Sequence, residues 1–391
     1  MNLPVIVVAG GGTGGHVFPM IAVADALRAE ADVRVVYVGT TRGIESRVVP
    51  ARGDELEVLD IVPIKGGGPL GALGGISRAA TSLPRARALL KRLSARAVLA
   101  VGGYAAGPVG LAAWSARIPL AILEPNSVLG LANRWLLPFA QRAYVAFEET
   151  EKKVRRGVAL RMGVPLRGSF VPVPYAPRPG QFHVLVLGGS QGAKALNELV
   201  PASLAAALGD VGDLTVVHQA GRGRDDETRQ RYVDLGIGER ARVVAFLDDV
   251  AAELARADLV IQRSGASSLA ELCAIGRASV LIPFPFAADD HQRKNAEALA
   301  TSGAAIAIAE PTATADRVAA QVVALAKDET QRLQMAAAAQ AQGRPDAARS
   351  VARDLLALAG VAQRSGNPSD KGTGELRSPE TGKSGLEVAC V

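Results

Sequence analysis

The sequence predicts an α/β protein built from two doubly wound parallel-sheet domains that face each other across a cleft. Three observations carry this reading. A glycine loop, Gly10-Gly11-Gly12-Thr13-Gly14-Gly15-His16, follows the apolar run Val5–Ala9. A second loop of the same design, Gly188-Gly189-Ser190-Gln191-Gly192-Ala193, follows Val184–Leu187, roughly 180 residues later, about one domain length. Around both loops, near-continuous apolar runs alternate with helix-length segments, the pattern of a parallel sheet covered on both faces.

In the first half, strands are expected at Val5–Ala9, Val33–Val38, Leu56–Ile61, Ala97–Val101, Leu120–Leu123 and Ala143–Ala146. Helix-length segments separate them: Pro19–Ala29, Ile44–Ala51, Ile76–Leu93, Val109–Ala116 and Leu129–Pro138. This domain spans residues 1–168. The prolines of Val171–Pro179 can continue neither a helix nor a central strand, so 169–180 reads as a linker. The alternation restarts with strands at His183–Leu187, Leu214–His218, Arg242–Phe246, Leu259–Ile261, Ser279–Ile282 and Ala305–Ile308. Helices are expected at Ala195–Leu208, Asp225–Leu235, Asp249–Ala255, Ser267–Ile275 and Gln292–Thr301, with Asp248 or Asp249 as a cap. The second domain runs over 181–342. Helical pattern continues from Thr314 to about Leu358, broken near Gly343–Pro345. From Ala362 onward Ser, Gly, Pro, Lys and Glu dominate without periodicity, and 362–391 reads as a disordered tail.

Composition limits the function. With 391 residues, 49% hydrophobic and 21% charged, the chain is an ordinary globular protein. Its two cysteines, Cys273 and Cys390, suggest no disulfide framework and fit a reducing cytosol. The N-terminus lacks a basic start and its apolar run breaks at glycines, so no signal peptide is read. Ala97–Trp114 carries no charge, but five Gly or Pro residues make it a strand, loop and helix rather than a membrane span. The net charge is +6. Ile64–Arg96 joins a glycine stretch and Leu70, Leu73, Ile76 and Leu83 to Arg78, Arg85, Arg87, Lys91, Arg92 and Arg96, with no acid among them. Such a segment suits an anionic lipid surface, and equally a solvated basic helix face. Nucleic acid is disfavoured, since only 4% of residues are aromatic and no stacking platform appears.

Strand, glycine turn and helix start together bring free N–H groups and a positive dipole end to one point, a cradle for phosphate or sugar hydroxyls. The first loop also fits a dinucleotide fingerprint, but Val38-Gly39-Thr40-Thr41-Arg42 supplies no acid for a ribose, which argues against NAD. Neither loop is followed by a Walker lysine. His16, at the first loop's exit, can accept a proton from an attacking hydroxyl or cap the loop. Gly102-Gly103-Tyr104-Ala105-Ala106-Gly107-Pro108 forms a third glycine turn, for acceptor phosphates or for close packing. Glu124 and Asn126, ending an apolar strand, can bond sugar hydroxyls or cap their own loop.

In the second half, Arg263-Ser264-Gly265 leads from a strand into Ala266, Ser267 and Ser268, whose N–H groups can bind a diphosphate at a helix start. Glu271, one turn in, is placed to accept two ribose hydroxyls or to partner the dipole. Gln292 and Asn295, three apart on one helix face, suit vicinal sugar hydroxyls. No Cys/His cluster has metal-ligand spacing, and neither metal nor cofactor is expected.

Taken in order, Gly11–Pro19, Gly102-Gly103-Tyr104, Gly188–Ala193, Arg263–Ala266, Asp290-His291-Gln292 and Asn295 resemble the bacterial undecaprenyldiphospho-muramoylpentapeptide β-N-acetylglucosaminyltransferase family, the lipid II-forming glycosyltransferases. The resemblance spans residue 4 to about 358. It implies a two-Rossmann GT-B fold, with UDP-GlcNAc held by the C-terminal domain and lipid I by the N-terminal one, to which the helix at 343–361 would return. It implies donor contacts at Thr13, Gly14, Gly15, Asn126, Arg167, Ser190, Leu247, Gln292 and the segment Ala266, Ser267, Ser268, Leu269, Ala270 and Glu271, with Phe246 and Leu247 by the uracil. His16, with Glu124 as the second catalytic residue, would be the base or would orient it in an inverting attack of the muramoyl 4-hydroxyl on C1 of GlcNAc, with helix-start amides and cationic side chains such as Arg263 stabilising the departing phosphate. The implied setting is the cytoplasmic face of the inner membrane, peripherally bound, with contacts to other wall-synthesis enzymes. Leu123, Pro125 and Val164 depart from the family's usual residues. The competing readings are a UDP-GlcNAc 2-epimerase or other glycolipid glycosyltransferase of the same architecture, and a non-catalytic membrane-docking partner.

Overall fold

A computed structural model describes residues 3–59, 82–189 and 192–364. The first sheet has seven parallel strands: β1 (Val5–Gly10), β2 (Arg34–Gly39), β3 (Leu56–Val58), β4 (Ala95–Gly102), β5 (Leu120–Glu124), β6 (Arg142–Val145) and β7 (Ala159–Arg161). Their order is β3-β2-β1-β4-β5-β6-β7. The second sheet has six: β8 (Phe182–Leu187), β9 (Leu214–Gln219), β10 (Ala241–Val244), β11 (Leu259–Gln262), β12 (Ser279–Leu281) and β13 (Ile306–Ala307), ordered β10-β9-β8-β11-β12-β13. β1 pairs Val7 with Val36 of β2 and with Val98 of β4, and β8 pairs Val186 with His218 of β9 and with Ile261 of β11.

The chain reverses its progress across each sheet beside that sheet's first strand, between β1 and β4 and again between β8 and β11. In an open parallel sheet the crevice beyond the strand ends at such a point is where ligands sit. Four of the motifs lie there: the loops after β1 and β4 in one domain, and those after β8 and β11 in the other. The central strands β1, β8 and β11 are almost wholly buried, because helices cover both faces and leave no solvent side for polar residues.

Several boundaries differ from expectation. The first helix runs Gly14–Glu30, five residues earlier than Pro19, with the Thr13 carbonyl accepting from the His16 and Val17 amides. Gly14 and Gly15 are thus helical N-terminal positions rather than loop. The short β7 and the one-turn helix Glu148–Glu151 carry too little apolar pattern to be foreseen. The described helix at 82–92 is the latter part of the expected Ile76–Leu93 helix. Residues 60–81, which include most of the basic–apolar segment, lie outside the described residues, as do Ser190 and 365–391.

The 169–180 segment forms neither helix nor strand and is fastened to the second domain. Tyr175 donates its hydroxyl to Asp258 (2.9 Å), and Arg277 donates to the Val173 carbonyl (2.9 Å). The Ala347–Leu358 helix crosses back to the first domain. There Val351, Ala352, Leu355 and Leu356 enter the core formed with the Gly14–Glu30 helix, and Asp354 meets Arg142 (3.1 Å) and Tyr144 (2.8 Å). Arg364 reaches Asp32 (2.5 Å), so the chain is held against the first domain two residues beyond the expected start of the tail.

Candidate active site

His16 stands in the first turn of the Gly14–Glu30 helix, above the β1/β4 switch point. Its Nδ1 lies 3.2 Å from the Gly11 carbonyl. A carbonyl only accepts, so Nδ1 carries the proton and Nε2 keeps its lone pair. Nε2 abuts Gly102, where an added Cβ would come within 2.9 Å, and Gly102 has a φ of 109° that a side chain would resist. Burial pushes the His16 pKa down, while the charge of Glu124 opposes this and His291 adds to it. The imidazole is therefore neutral at neutral pH and able to accept a proton. His291, which begins the His291–Thr301 helix of the other domain, has its ring Nδ1 against the Ala288 carbonyl (2.7 Å), and its charge reaches His16.

Glu124 is fully buried at the end of β5. One carboxylate oxygen accepts from the Asn126 backbone and side-chain amides (both 3.1 Å), the other from Gly130 N–H (2.8 Å) and Asn133 Nδ2 (3.0 Å). Four donors occupy it, so the expected bond to a sugar hydroxyl is corrected. Glu124 folds the 125–130 loop and sets the charge felt by His16.

Asn295 is corrected likewise. Its side chain is fully buried and links the two domains. Oδ1 accepts from Ser127 N–H (2.9 Å), and Nδ2 donates to the Ser264 carbonyl (3.2 Å) and lies 3.4 Å from Asn126 Oδ1. Its amide is spent on joining the Asn126 loop to the turn before Ala266, leaving nothing for a sugar. Gln292 remains half-exposed, its Oε1 accepting from Phe284 N–H (3.1 Å). Arg263 also differs from expectation. Its guanidinium bonds the Ile282 carbonyl (2.9 Å) and Glu310 (2.5 Å) and lies over Phe284, so it braces the turn instead of meeting a phosphate directly.

The Ala266–Ile275 helix starts at Gly265 with no side-chain cap. The amides of Ala266, Ser267 and Ser268 have no intrahelical acceptor, and the buried Ser267 hydroxyl has no protein partner. Glu271, one turn along, is half-buried; burial raises its pKa to about 7, against the pull of Arg167. Arg167 is exposed and lies over the Phe18 ring (5.7 Å) near the start of the first domain's opening helix, and its charge reaches Glu271. Leu269 is in the core and Ala270 half-buried on the helix's other side. Phe246 is exposed and Leu247 buried just beyond β10, two residues after the strand ends. Thr13, Gly14 and Gly15 form the uncapped mouth of the first helix. A cavity of about 220 Å³ also lies between the domains, but it opens on Ala266, Leu269, Ala270 and Cys273, the helix face turned away from Glu271.

Behind the second loop, His218 is wholly buried, with Nδ1 3.0 Å from the Tyr232 hydroxyl and Nε2 3.1 Å from Asn197 Oδ1. Asn197 in turn donates to the Ala220 carbonyl (2.9 Å). That carbonyl presses on Gly192, where a Cβ would stand 2.1 Å away. Sequence reasoning missed this network and also missed Glu45. The acid sought after the second strand lies six residues past Gly39, in a helix rather than at the strand end. Among the described residues, no three His, Cys, Asp or Glu side chains form a metal-binding group.

Two facing α/β domains with uncapped helix mouths at both switch points are the architecture of two-domain sugar-nucleotide enzymes, among them the glycosyltransferases. Comparison agrees: residues 6–145 match the glycosyltransferase family 28 N-terminal domain, and 183–351 its C-terminal domain. The chain is 57% identical to a UDP-N-acetylglucosamine–N-acetylmuramyl-(pentapeptide) pyrophosphoryl-undecaprenol N-acetylglucosamine transferase of Sorangium cellulosum, covering 90% of this chain and 88% of that one. It is 40% identical to the Acidithiobacillus ferrooxidans protein of the same description, over 91% and 98%. Among solved structures, Acinetobacter baumannii MurG superposes with a TM-score of 0.77 at 30% identity, over 90% and 99% of the chains. A UDP-N-acetylglucosamine 2-epimerase superposes at 0.63 with 13% identity, a likeness of fold alone. The chain belongs to the UDP-N-acetylglucosamine–N-acetylmuramyl-(pentapeptide) pyrophosphoryl-undecaprenol N-acetylglucosamine transferase family.

Proposed function

We propose that this chain transfers N-acetylglucosamine from UDP-GlcNAc to the 4-hydroxyl of the muramoyl-pentapeptide sugar of lipid I, giving lipid II with inversion at C1. The observation that carries the reading is the opposition of two switch points: a proton-accepting imidazole stands over one and an uncapped helix start over the other. The Ala266–Ser268 amides hold the diphosphate, and their aligned dipoles stabilise charge as UDP leaves. Glu271 accepts the ribose hydroxyls, and Gln292 lies by the GlcNAc. His16 Nε2 takes the proton from the acceptor hydroxyl, and the carboxylate of Glu124 stabilises the resulting imidazolium. Fold likeness to the epimerases does not favour that alternative, since both sequence relatives are transferases.

The acceptor's lipid directs the first domain to a membrane. Among the described residues no helix is long and apolar enough to cross one. Trp114 (53% exposed), Leu131 (60%) and Trp135 (63%) stand on the Ala106–Ser115 and Leu131–Leu136 helices, with Trp114 against Phe139 at 4.5 Å. The helix at 82–92 covers the same sheet face and exposes Arg85, Arg87, Lys91 and Arg92. Aromatic insertion beside cationic attraction fits peripheral binding to the anionic cytoplasmic leaflet.

The test is transfer of labelled GlcNAc to lipid I. His16→Ala should lower kcat by about 10²–10⁴-fold with UDP-GlcNAc affinity nearly unchanged; unaltered kcat would remove His16 from the chemistry.

A further inference from the structure

The first glycine loop already contains an anion. Glu45 is completely buried, and one carboxylate oxygen accepts from Gly12 N–H (2.8 Å). The other accepts from the Thr40 amide and hydroxyl (both 3.0 Å). Gly11, Gly39 and Gly43 wall the carboxylate in: a Cβ on any of them would lie 1.9–2.5 Å from the Glu45 side chain. Among the described residues its partners are hydrogen-bond donors, with no cation in contact. A charge so buried persists only because three donors satisfy it.

The same loop carries His16. The Gly11 carbonyl that receives the His16 proton adjoins the Gly12 amide that Glu45 holds. Gly103 presses on that carbonyl from the other side, where a Cβ would stand 2.4 Å away. The peptide joining Gly11 to Gly12 is therefore clamped at both ends, by Glu45 on its N–H and by His16 and Gly103 on the carbonyl side.

We propose that Glu45 is a positioning residue whose carboxylate occupies the place a ligand phosphate would take in this loop, so that the loop orients His16 and leaves the nucleotide to the second domain. This rests on the reading of His16 as the base. It also accounts for two similar glycine loops dividing their labour: the second has no such internal acid among its described contacts, while the first is filled by the chain itself. A carboxylate and a phosphate present the same acceptor oxygens to backbone N–H groups.

The test compares Glu45→Ala and Glu45→Gln with the full-length enzyme. Glu45→Ala should lose about 10–100-fold in kcat, the scale set by misplacing a reacting group by about 1 Å, with the calorimetric Kd for UDP-GlcNAc within about twofold. Formate, entering the emptied cage, should raise the Tm of Glu45→Ala and restore part of its kcat, while changing neither in the unaltered enzyme. Glu45→Gln keeps the volume but turns an amide N–H₂ toward a donor, so its kcat should fall without formate rescue. If Glu45→Ala does not fold, low kcat with unchanged donor affinity in Glu45→Gln supports the proposal. Wild-type kcat in either variant, or equal loss of kcat and donor affinity with no response to formate, overturns it. A His16→Ala control with full turnover would instead defeat the base assignment, and the formate-dependent Tm would still report the anion in the loop.

Discussion

Asn295 offers a direct way to weigh how far turnover depends on the two domains being joined. Replacing it with alanine strips partners from two backbone groups, Ser127 N–H and the Ser264 carbonyl. Leaving a buried polar group unsatisfied costs about 1–3 kcal/mol, so losing the Ser127 contact costs the closed arrangement up to about 3 kcal/mol, less whatever bridging water recovers. In an opened cleft water reaches Ser127 N–H, so that cost falls on closure, whereas the Ser264 carbonyl sits in the same domain as Asn295 and loses its partner in either arrangement. Since a factor of ten corresponds to about 1.4 kcal/mol, and part of the deficit is met by substrate binding, kcat for GlcNAc transfer should fall about 10- to 100-fold. UDP-GlcNAc affinity, assigned to the Ala266 helix mouth, should fall less than kcat, because the bonds to Ser127 and Asn126 run between domains while only the Ser264 bond supports the turn before Ala266. Asn295→Asp is the sharper variant: one oxygen can still receive Ser127 N–H, but the other faces the Ser264 carbonyl and Asn126 Oδ1, acceptor against acceptor. Its defect should ease as pH falls and the carboxyl gains a proton. Small-angle scattering should report a larger radius for both variants without substrate. Turnover within twofold of wild type in both would refute the coupling.

Glu271 has a pKa raised to about 7 by burial, and its ionised form is the better acceptor for ribose hydroxyls. UDP-GlcNAc should therefore bind more tightly at pH 8 than at pH 6 by calorimetry. Glu271→Gln should flatten that dependence and weaken binding by about tenfold; equal pH dependence in both proteins would exclude the contact. His218 is held neutral by burial, its pKa lowered to about 3. An unfolded histidine titrates near 6.5, so stability is full above that pH and declines as pH falls toward about 3, by up to about 1.4 kcal/mol per unit. Chemical denaturation between pH 7 and 5 should show this slope, and His218→Gln should lessen it. Binding to vesicles with anionic lipid should drop several-fold in Trp114→Glu and Trp135→Glu and fall with salt in the parent protein; equal binding of the Trp135→Glu protein would move the membrane face elsewhere.

The order of strands and helices was written in local pattern, because buried parallel strands must be apolar on both faces and the runs at Val5, Val184 and Leu259 could be little else. The three glycine turns were equally plain, since strand exits that turn tightly into helices need residues without Cβ atoms. Family membership followed from those motifs and their order. What neighbours a carboxylate or amide cannot be read along the chain. Glu124 and Asn295 carried the right chemistry for sugar, yet folding brought four N–H donors to one and set the other against Ser127, 168 residues away in the opposite domain. Glu45 escaped notice because Gly12, 33 residues away, meets it only when β1 and β2 lie side by side; the Thr40 contact alone is local. Sequence set the residues and their periodicity; tertiary structure decided which polar groups satisfy each other, because that depends on distances fixed only after the sheets form and the domains meet.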